Sequence, residues 1–430
     1  MKNANKNEIR WRKLDNTAKI FPIISTKNFS NVFRISVVLK EDVIPEILQN
    51  ALEDTLPDFK SFQVKLKRGF FWYYFETNTK TPKIEEEKTY PCKYIDRSKT
   101  NGFLFQVSYY KKRINLEVFH SLADGNGALH FLKALTYRYL SLLEQGENAI
   151  KNAEYTDICY AANTEDSYIR NYKKDSSAKH SMKRAYQLKG PKLPLIAVGA
   201  IHGHINLEQF LTLCRAKHVT ISEYLTALLI WCIYKENLNE YPSKQPIKIY
   251  IPVNLRKYFD STTTTNFFSY ITVDSNFSKQ TFNAFDDLLY FVKDQFDVKL
   301  TKEHLTEKIS SNVSAERNIF VRLIPLFIKK FGVKIGYLEA GKHHTSTLSN
   351  LGKITVLPEF KEYIDYFSFL IAPSRTEKIK CSVCSYENDL VFSFASILEE
   401  PYIEREFFRH LVRAGVEVKI ESNGVYHENM

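Results

Sequence analysis

The stretch from residue 103 to 143 constrains the fold more than any other part of the chain. Two runs with strand-like alternation, 103–110 and 113–120, meet at Lys111-Lys112 and read as an antiparallel pair. A helix follows over about 127–143, with Leu129, Leu132, Leu135, Tyr139 and Leu142 along one side. Two paired strands running directly into a helix do not make the regular βαβ alternation of a doubly wound parallel sheet. The rest of the chain keeps the same mixed order. A strand at 33–39 precedes a helix at 45–56, and strands at 62–67 and 70–75 join around Gly69. Further on, Thr220-x-x-Glu223 is a capping box opening a helix at 221–235. Strands at 248–253 and 267–273 precede an amphipathic helix at 282–300 and a second helix at about 315–331. The chain ends with strands near 346–356, 365–371, 379–386 and 390–397, a helix at 402–414 and a strand at 416–421. This order predicts the α+β class, with antiparallel or mixed sheets covered by packed helices.

A single core does not serve 430 residues, because hydrophobic cores stop growing near ~250–300 residues. Residues 145–200 are polar and rich in Ser, Lys and Asn, and end in Gly190, Pro191 and Pro194, so they read as the connection between two domains. The expected division is 1–190 and 191–430, with no internal sequence repeat.

The net charge of +11 suits an anionic partner, yet no run of five basic residues occurs and no zinc-finger, homeodomain or RNP pattern accompanies it. Nucleic acid is therefore not an expected partner. The six cysteines do not form a disulfide framework, and the lone pair Cys381-x-x-Cys384 has no second pair at zinc-ligand spacing, so no metal site is expected. His343-His344 lacks a nearby carboxylate or thiol at ligand spacing. Residues 1–20 hold no apolar signal core, and the apolar stretch 225–234 is too short to cross a bilayer, so a cytoplasmic protein without a transmembrane segment is expected.

The chemistry concentrates at Phe119-His120-Ser121-Leu122-Ala123-Asp124-Gly125. Period two puts His120 on the face of Ile114, Leu116 and Val118, so its imidazole is expected to point inward. Asp124 then falls at the strand-to-helix turn, where Gly125-Asn126-Gly127 carries little bulk. A histidine at the end of a buried strand, one tight turn from a carboxylate, is a candidate general base. A buried structural histidine is the other reading of the same residues.

His-x-x-x-Asp-Gly between a strand and a helix resembles the motif shared by chloramphenicol acetyltransferase, peptide-synthetase condensation domains, polyketide-associated acyltransferases and alcohol acetyltransferase-like proteins. Of the 11 histidines only His120 has this pattern. The segments LDNTAKIFP from Leu14, GFFWY from Gly69, IPVNLR from Ile251 and LSNLG from Leu348 look like further landmarks of the alcohol acetyltransferase-like chains. One departure is that condensation domains carry two adjacent histidines, and Phe119 stands in place of the first. That makes peptide-bond condensation less expected than ester or amide formation.

The resemblance implies two chloramphenicol-acetyltransferase-like domains with an active-site channel between them. It implies acyl transfer, acetyl above all, from acyl-CoA (acetyl-CoA) as co-substrate to a small alcohol or amine, with no bound cofactor. His120 would be the general base, and Asp124 an architectural residue paired with an arginine of the other domain, for which Arg256 is the candidate. Gly125 would leave room at the channel mouth. Ser349 and Asn350 would line the channel and offer an oxyanion donor, with Asn266 a further candidate. An acyl carrier protein as donor and a catalytically idle binding or scaffold protein of the same fold are the alternatives.

Overall fold

The structure, a computed structural model, describes residues 10–145, 165–173, 183–194, 197–240, 242–317 and 322–425. Much of the connection expected over 145–200 and part of the helix expected over 315–331 lie outside these residues. Three sheets organise the described residues. The first has five strands in the order Ile364–Ile371, Val32–Leu39, Arg113–Phe119, Phe105–Tyr110 and Glu85–Glu86. The second has seven, in the order Phe268–Ser275, Ile247–Asn254, Ser346–Ile354, Ile379–Tyr386, Asp389–Ser396, Gly199–Asn206 and Val418–Ser422. Both sheets mix parallel and antiparallel pairs, as the α+β reading requires. A small antiparallel sheet of Trp11–Lys13, Tyr73–Thr77 and Val64–Arg68 completes the set.

Two large hydrophobic cores follow from this arrangement. The first packs helices Pro45–Thr55 and Gly125–Gln145 on the Val32–Leu39 and Arg113–Phe119 strands. The second surrounds helix Ile221–Asn237, whose residues Tyr224–Ile230 are all buried. Its capping box is formed: Thr220 Oγ1 accepts from the Glu223 N–H at 3.3 Å, and Glu223 Oε2 accepts from the Thr220 N–H at 2.8 Å. An all-round apolar helix of this kind needs a full core about it, and the sheet strands Ile247–Asn254 and Ile379–Tyr386 contribute to that core.

Two features depart from the sequence reading. Strand Ile364–Ile371 belongs to the second half of the chain but pairs antiparallel with Val32–Leu39, so it crosses the division at 190/191. It is anchored back to the second sheet by Cys384 Sγ on the Phe367 carbonyl at 3.3 Å and by Ser382 Oγ on the Phe369 carbonyl. Residues 315–331 are not one helix. The described helices are Lys302–Arg317 and Leu326–Gly341, and Pro325 caps the second, where a missing N–H is tolerated. Strand Arg113–Phe119 is buried on both faces. Its polar face is satisfied by ions: Glu117 receives Arg34 at 2.9 Å from the neighbouring strand, and its Oε1 accepts the Cys92 N–H at 2.6 Å.

Gly203, in strand Gly199–Asn206, shows how tightly helix Tyr402–Arg413 seats on the second sheet. A Cβ there would lie 2.0 Å from Cε1 of the buried Phe408 ring. Gly203→Ala is expected to destabilise the protein by about 1–3 kcal/mol, read as a lower Tm, and Phe408→Leu in the same chain should recover part of the loss.

Candidate active site

His120 stands one residue beyond strand Arg113–Phe119, and its backbone N–H bonds to the Asn31 carbonyl at 3.1 Å. Its ring stacks on Phe21 with centroids 4.6 Å apart and meets Phe33 and Phe268 at 5.2 and 5.3 Å. Phe33 lies directly across from Val118, so the ring is on the apolar face that period two predicts. Phe268 belongs to the second sheet, which makes the cage around the imidazole a joint product of both halves. Desolvation in this cage holds the His120 pKa below the ordinary value, so the ring is neutral near neutral pH.

Asp124 is buried and fully engaged. Oδ1 accepts the Gly127 N–H at 3.0 Å, which caps helix Gly125–Gln145. Oδ2 accepts from Arg256 at 2.8 Å and from the Phe267 N–H at 2.9 Å. Arg256 follows strand Ile247–Asn254 in a short 3₁₀ turn, and its side chain keeps only 10% exposure, so it is no solvated surface arginine. Its remaining donors close on main-chain carbonyls: Nε on Thr263 at 2.9 Å and Nη2 on Thr265 at 2.6 Å. One guanidinium therefore ties the His120–Asp124 turn to the loop 263–267 of the other half. The helix start meets the same loop at Gly127, where a Cβ would stand 2.1 Å from the Thr264 carbonyl oxygen. Glycine is required there by close backbone approach.

This loop carries Asn266, and the structure brings it to His120. Asn266 Oδ1 lies 3.2 Å from His120 Nδ1, and Asn266 Nδ2 donates to Asp15 Oδ2 at 3.1 Å. Asp15 in turn accepts the Ala18 N–H at 2.8 Å. The direction of this chain follows from donor chemistry. An ionised Asp15 can only accept, so it takes the amide N–H, and the amide oxygen is left facing the ring. Nδ1 must then carry the imidazole proton, and the lone pair sits on Nε2. Burial pushes the Asp15 carboxyl up to about 7, against the two hydrogen bonds that favour its charge.

The other expected residues sit differently. Gly125 opens the helix between the halves, where a Cβ would lie 3.2 Å from Leu351 Cδ1 and 3.7 Å from Phe369 Cζ. Asn350 is exposed and not brought to His120. Its amide donates to Ser222 Oγ at 2.9 Å and its Oδ1 accepts the Gly352 N–H at 2.7 Å. A shift in strand register between Asn350 and Gly352 accompanies this turn outward. Ser349, on the same strand, is half-buried opposite Ser382, and Leu351 rather than either polar neighbour approaches Gly125. Asp15, Phe21 and Gly127 were not singled out as site residues from the sequence. The first two lie within the landmark segment LDNTAKIFP, which was the available signal. A separate cavity of about 520 Å³ opens at the far end of strands Ile247–Asn254 and Phe268–Ser275, lined by Lys183, Arg184, Lys244, Lys248, Asp274 and Lys279 among others.

No family profile matches the sequence and no curated protein matches it. Solved structures do match. TRI101 of F. sporotrichioides, crystallised with coenzyme A and T-2, aligns at 11% identity over 96% of this chain and 99% of its own, with a TM-score of 0.61. Polyketide synthase associated protein 5 from Mycobacterium tuberculosis aligns at 14% identity over 93% and 97%, with a TM-score of 0.57. The starter condensation domain of rhizomide synthetase aligns at 11% identity over 93% of each chain, with a TM-score of 0.56. The chain thus has the two-domain fold of these acyltransferases and condensation domains, as the sequence resemblance implied.

Asp124→Asn and Arg256→Gln are each expected to lower the Tm, because each leaves a buried charge without its partner at a cost of up to ~3–5 kcal/mol. In thermal or urea denaturation the double variant should lose less than the sum of the two. Strict additivity would show that the pair does not hold the halves together.

Proposed function

We propose that this protein transfers an acyl group, acetyl foremost, from a coenzyme A thioester to the hydroxyl or amine of a small acceptor, with His120 as general base. The observation that carries the reading is the contact of His120 Nδ1 with Asn266 Oδ1, which leaves a neutral Nε2 as the free proton acceptor. Nε2 takes the acceptor's proton as its oxygen or nitrogen attacks the thioester carbonyl, giving a tetrahedral intermediate. The C–S bond then breaks, and the imidazolium returns the proton to the leaving thiolate. Ester or amide and free coenzyme A are the products, with all protons accounted for.

Asp124 and Arg256 serve this step through position, since neither has a polar atom left over for substrate. Asp15 and Asn266 act as positioning residues that select the tautomer. Coenzyme A as donor is supported by the TRI101 structures, which were crystallised with it. The basic cavity suits its phosphates: it lies along the same two strands that end at Phe268 beside His120, six residues or about 20 Å away. The channel between halves would then connect the two.

Purified protein, acetyl-CoA and a panel of alcohols and amines, followed by release of free thiol, test the reading. His120→Ala should lose about 10²–10⁴ in kcat with its Tm retained. Activity should fall as pH drops through about 7, because protonated Asp15 becomes a donor, turns the Asn266 amide and moves the ring proton to Nε2. Asp15→Asn fixes that inverted arrangement, so it should be slow at every pH and lack the limb near pH 7. Lys248→Glu with Lys279→Glu should raise KM for acetyl-CoA and spare kcat. Full turnover by His120→Ala would refute the mechanism.

A further inference from the structure

Among the described residues, helix Leu326–Gly341 is attached along one edge and at its C-terminal end, where Glu339 meets Arg184 at 2.7 Å. The Leu326 N–H bonds to the Phe70 carbonyl at 2.9 Å, and Lys329 Nζ reaches the Phe71 carbonyl at 3.2 Å while lying 3.6 Å from the centre of the Trp72 ring. The opposite face is apolar and bare. Phe327 is 62% exposed, Phe331 72% and Ile335 54%, with Ile328 beside them, all at helical spacing. Phe70, 69% exposed, extends the apolar surface beyond the helix start. Monomeric soluble proteins rarely leave so many large apolar side chains together in water.

We propose that this face docks on an anionic phospholipid bilayer. Charge selects the occupant. Exposed Lys334 and, one turn before it, Lys330, whose Nζ lies 5.3 Å over the Tyr73 ring, border the apolar stripe; the helix's acid, Glu339, is paired with Arg184 and Lys342, and the chain as a whole carries +11, which an anionic lipid surface complements. A second copy of the chain would instead set these lysines against their own equivalents. The helix lies on the surface and does not span it: sixteen residues reach about 24 Å, short of the ~30 Å hydrocarbon layer. Among the described residues no helix is long and apolar enough to cross a membrane. Phe, Ile and Leu enter the headgroup boundary while lysine stems reach back to the phosphates, the pattern of an interfacial amphipathic helix. The docked helix also lies against helix Phe21–Ile24, whose first residue stacks on His120, so the bilayer would face the outer side of that wall.

Co-sedimentation of the full chain with vesicles of phosphatidylcholine alone, and of phosphatidylcholine mixed with phosphatidylserine, tests this without reference to catalysis. The protein should pellet with the phosphatidylserine vesicles and be released by added salt. Phe327→Ser with Phe331→Ser should weaken binding about tenfold or more at unchanged Tm, both rings being exposed. Lys330→Glu with Lys334→Glu should abolish the preference for phosphatidylserine. The proposal is overturned if the protein stays in the supernatant with both vesicles, if it binds them equally, or if either variant binds as the original chain does. It is also overturned if sedimentation velocity finds a dimer that the phenylalanine variant dissociates, since a second copy then covers the face.

Discussion

The buried ion pair of Asp124 and Arg256 is the interaction on which the arrangement of this site depends. Two charges removed from water at a domain junction gain little net stability by themselves, since desolvation offsets most of their attraction. What this pair supplies is specification. Asp124 caps the helix that follows His120, and Arg256 closes on the Thr263 and Thr265 carbonyls of the facing loop. The N–H and carbonyl groups of a loop buried between two halves need partners, and here one guanidinium and one carboxylate provide three of them. Separation of the halves would strand Asp124 Oδ2, the Arg256 Nη1 donor and the Phe267 N–H together, so the junction is held closed by polar satisfaction as well as by apolar contact.

The imidazole inherits its chemistry from that closure. Loop 263–267 holds Asn266 3.2 Å from Nδ1, and the Phe268 ring that follows completes the aromatic cage. The cage removes water and keeps the ring neutral. The Asn266 amide, oriented by Asp15, decides which nitrogen carries the proton. Position, charge state and tautomer are thus set by three different parts of the chain, residues 15–21, 120–124 and 256–268, which are distant in sequence. Strand Ile364–Ile371 adds a fourth tie, since it leaves the second half to complete the first sheet and brings Phe369 against Phe33.

How much of this is legible in the sequence depends on the range of the signal. His120, Asp124 and Gly125 share one strand-turn-helix unit, so local pattern and the family motif both find them. The capping box at Thr220 and Glu223 is equally local. Arg256 was placed through family position, and its partner could be guessed only because the motif supplied a carboxylate. The bond between Asn266 and Asp15 spans 251 residues and leaves no trace in periodicity. Asn350 misleads for a physical reason: its strand shifts register at that point, and the amide turns to the start of helix Ile221–Asn237. The helix expected over 315–331 differs in extent because Pro325 caps a new helix, Leu326–Gly341, which leaves Phe327, Ile328 and Phe331 in solvent. Periodicity reports that a helix has an apolar face but not that anything covers it.

The central claim is that residues from the two halves together hold His120 with its proton on Nδ1 and a free lone pair on Nε2. Nitrogen-15 NMR of the histidine-labelled protein, with His120 assigned by comparison with His120→Gln, reads this directly. At a pH above 7 the account predicts a pyrrole-type shift for Nδ1 and a pyridine-type shift for Nε2. A protonated Nε2, or averaged shifts from a ring exchanging between both tautomers, would contradict it.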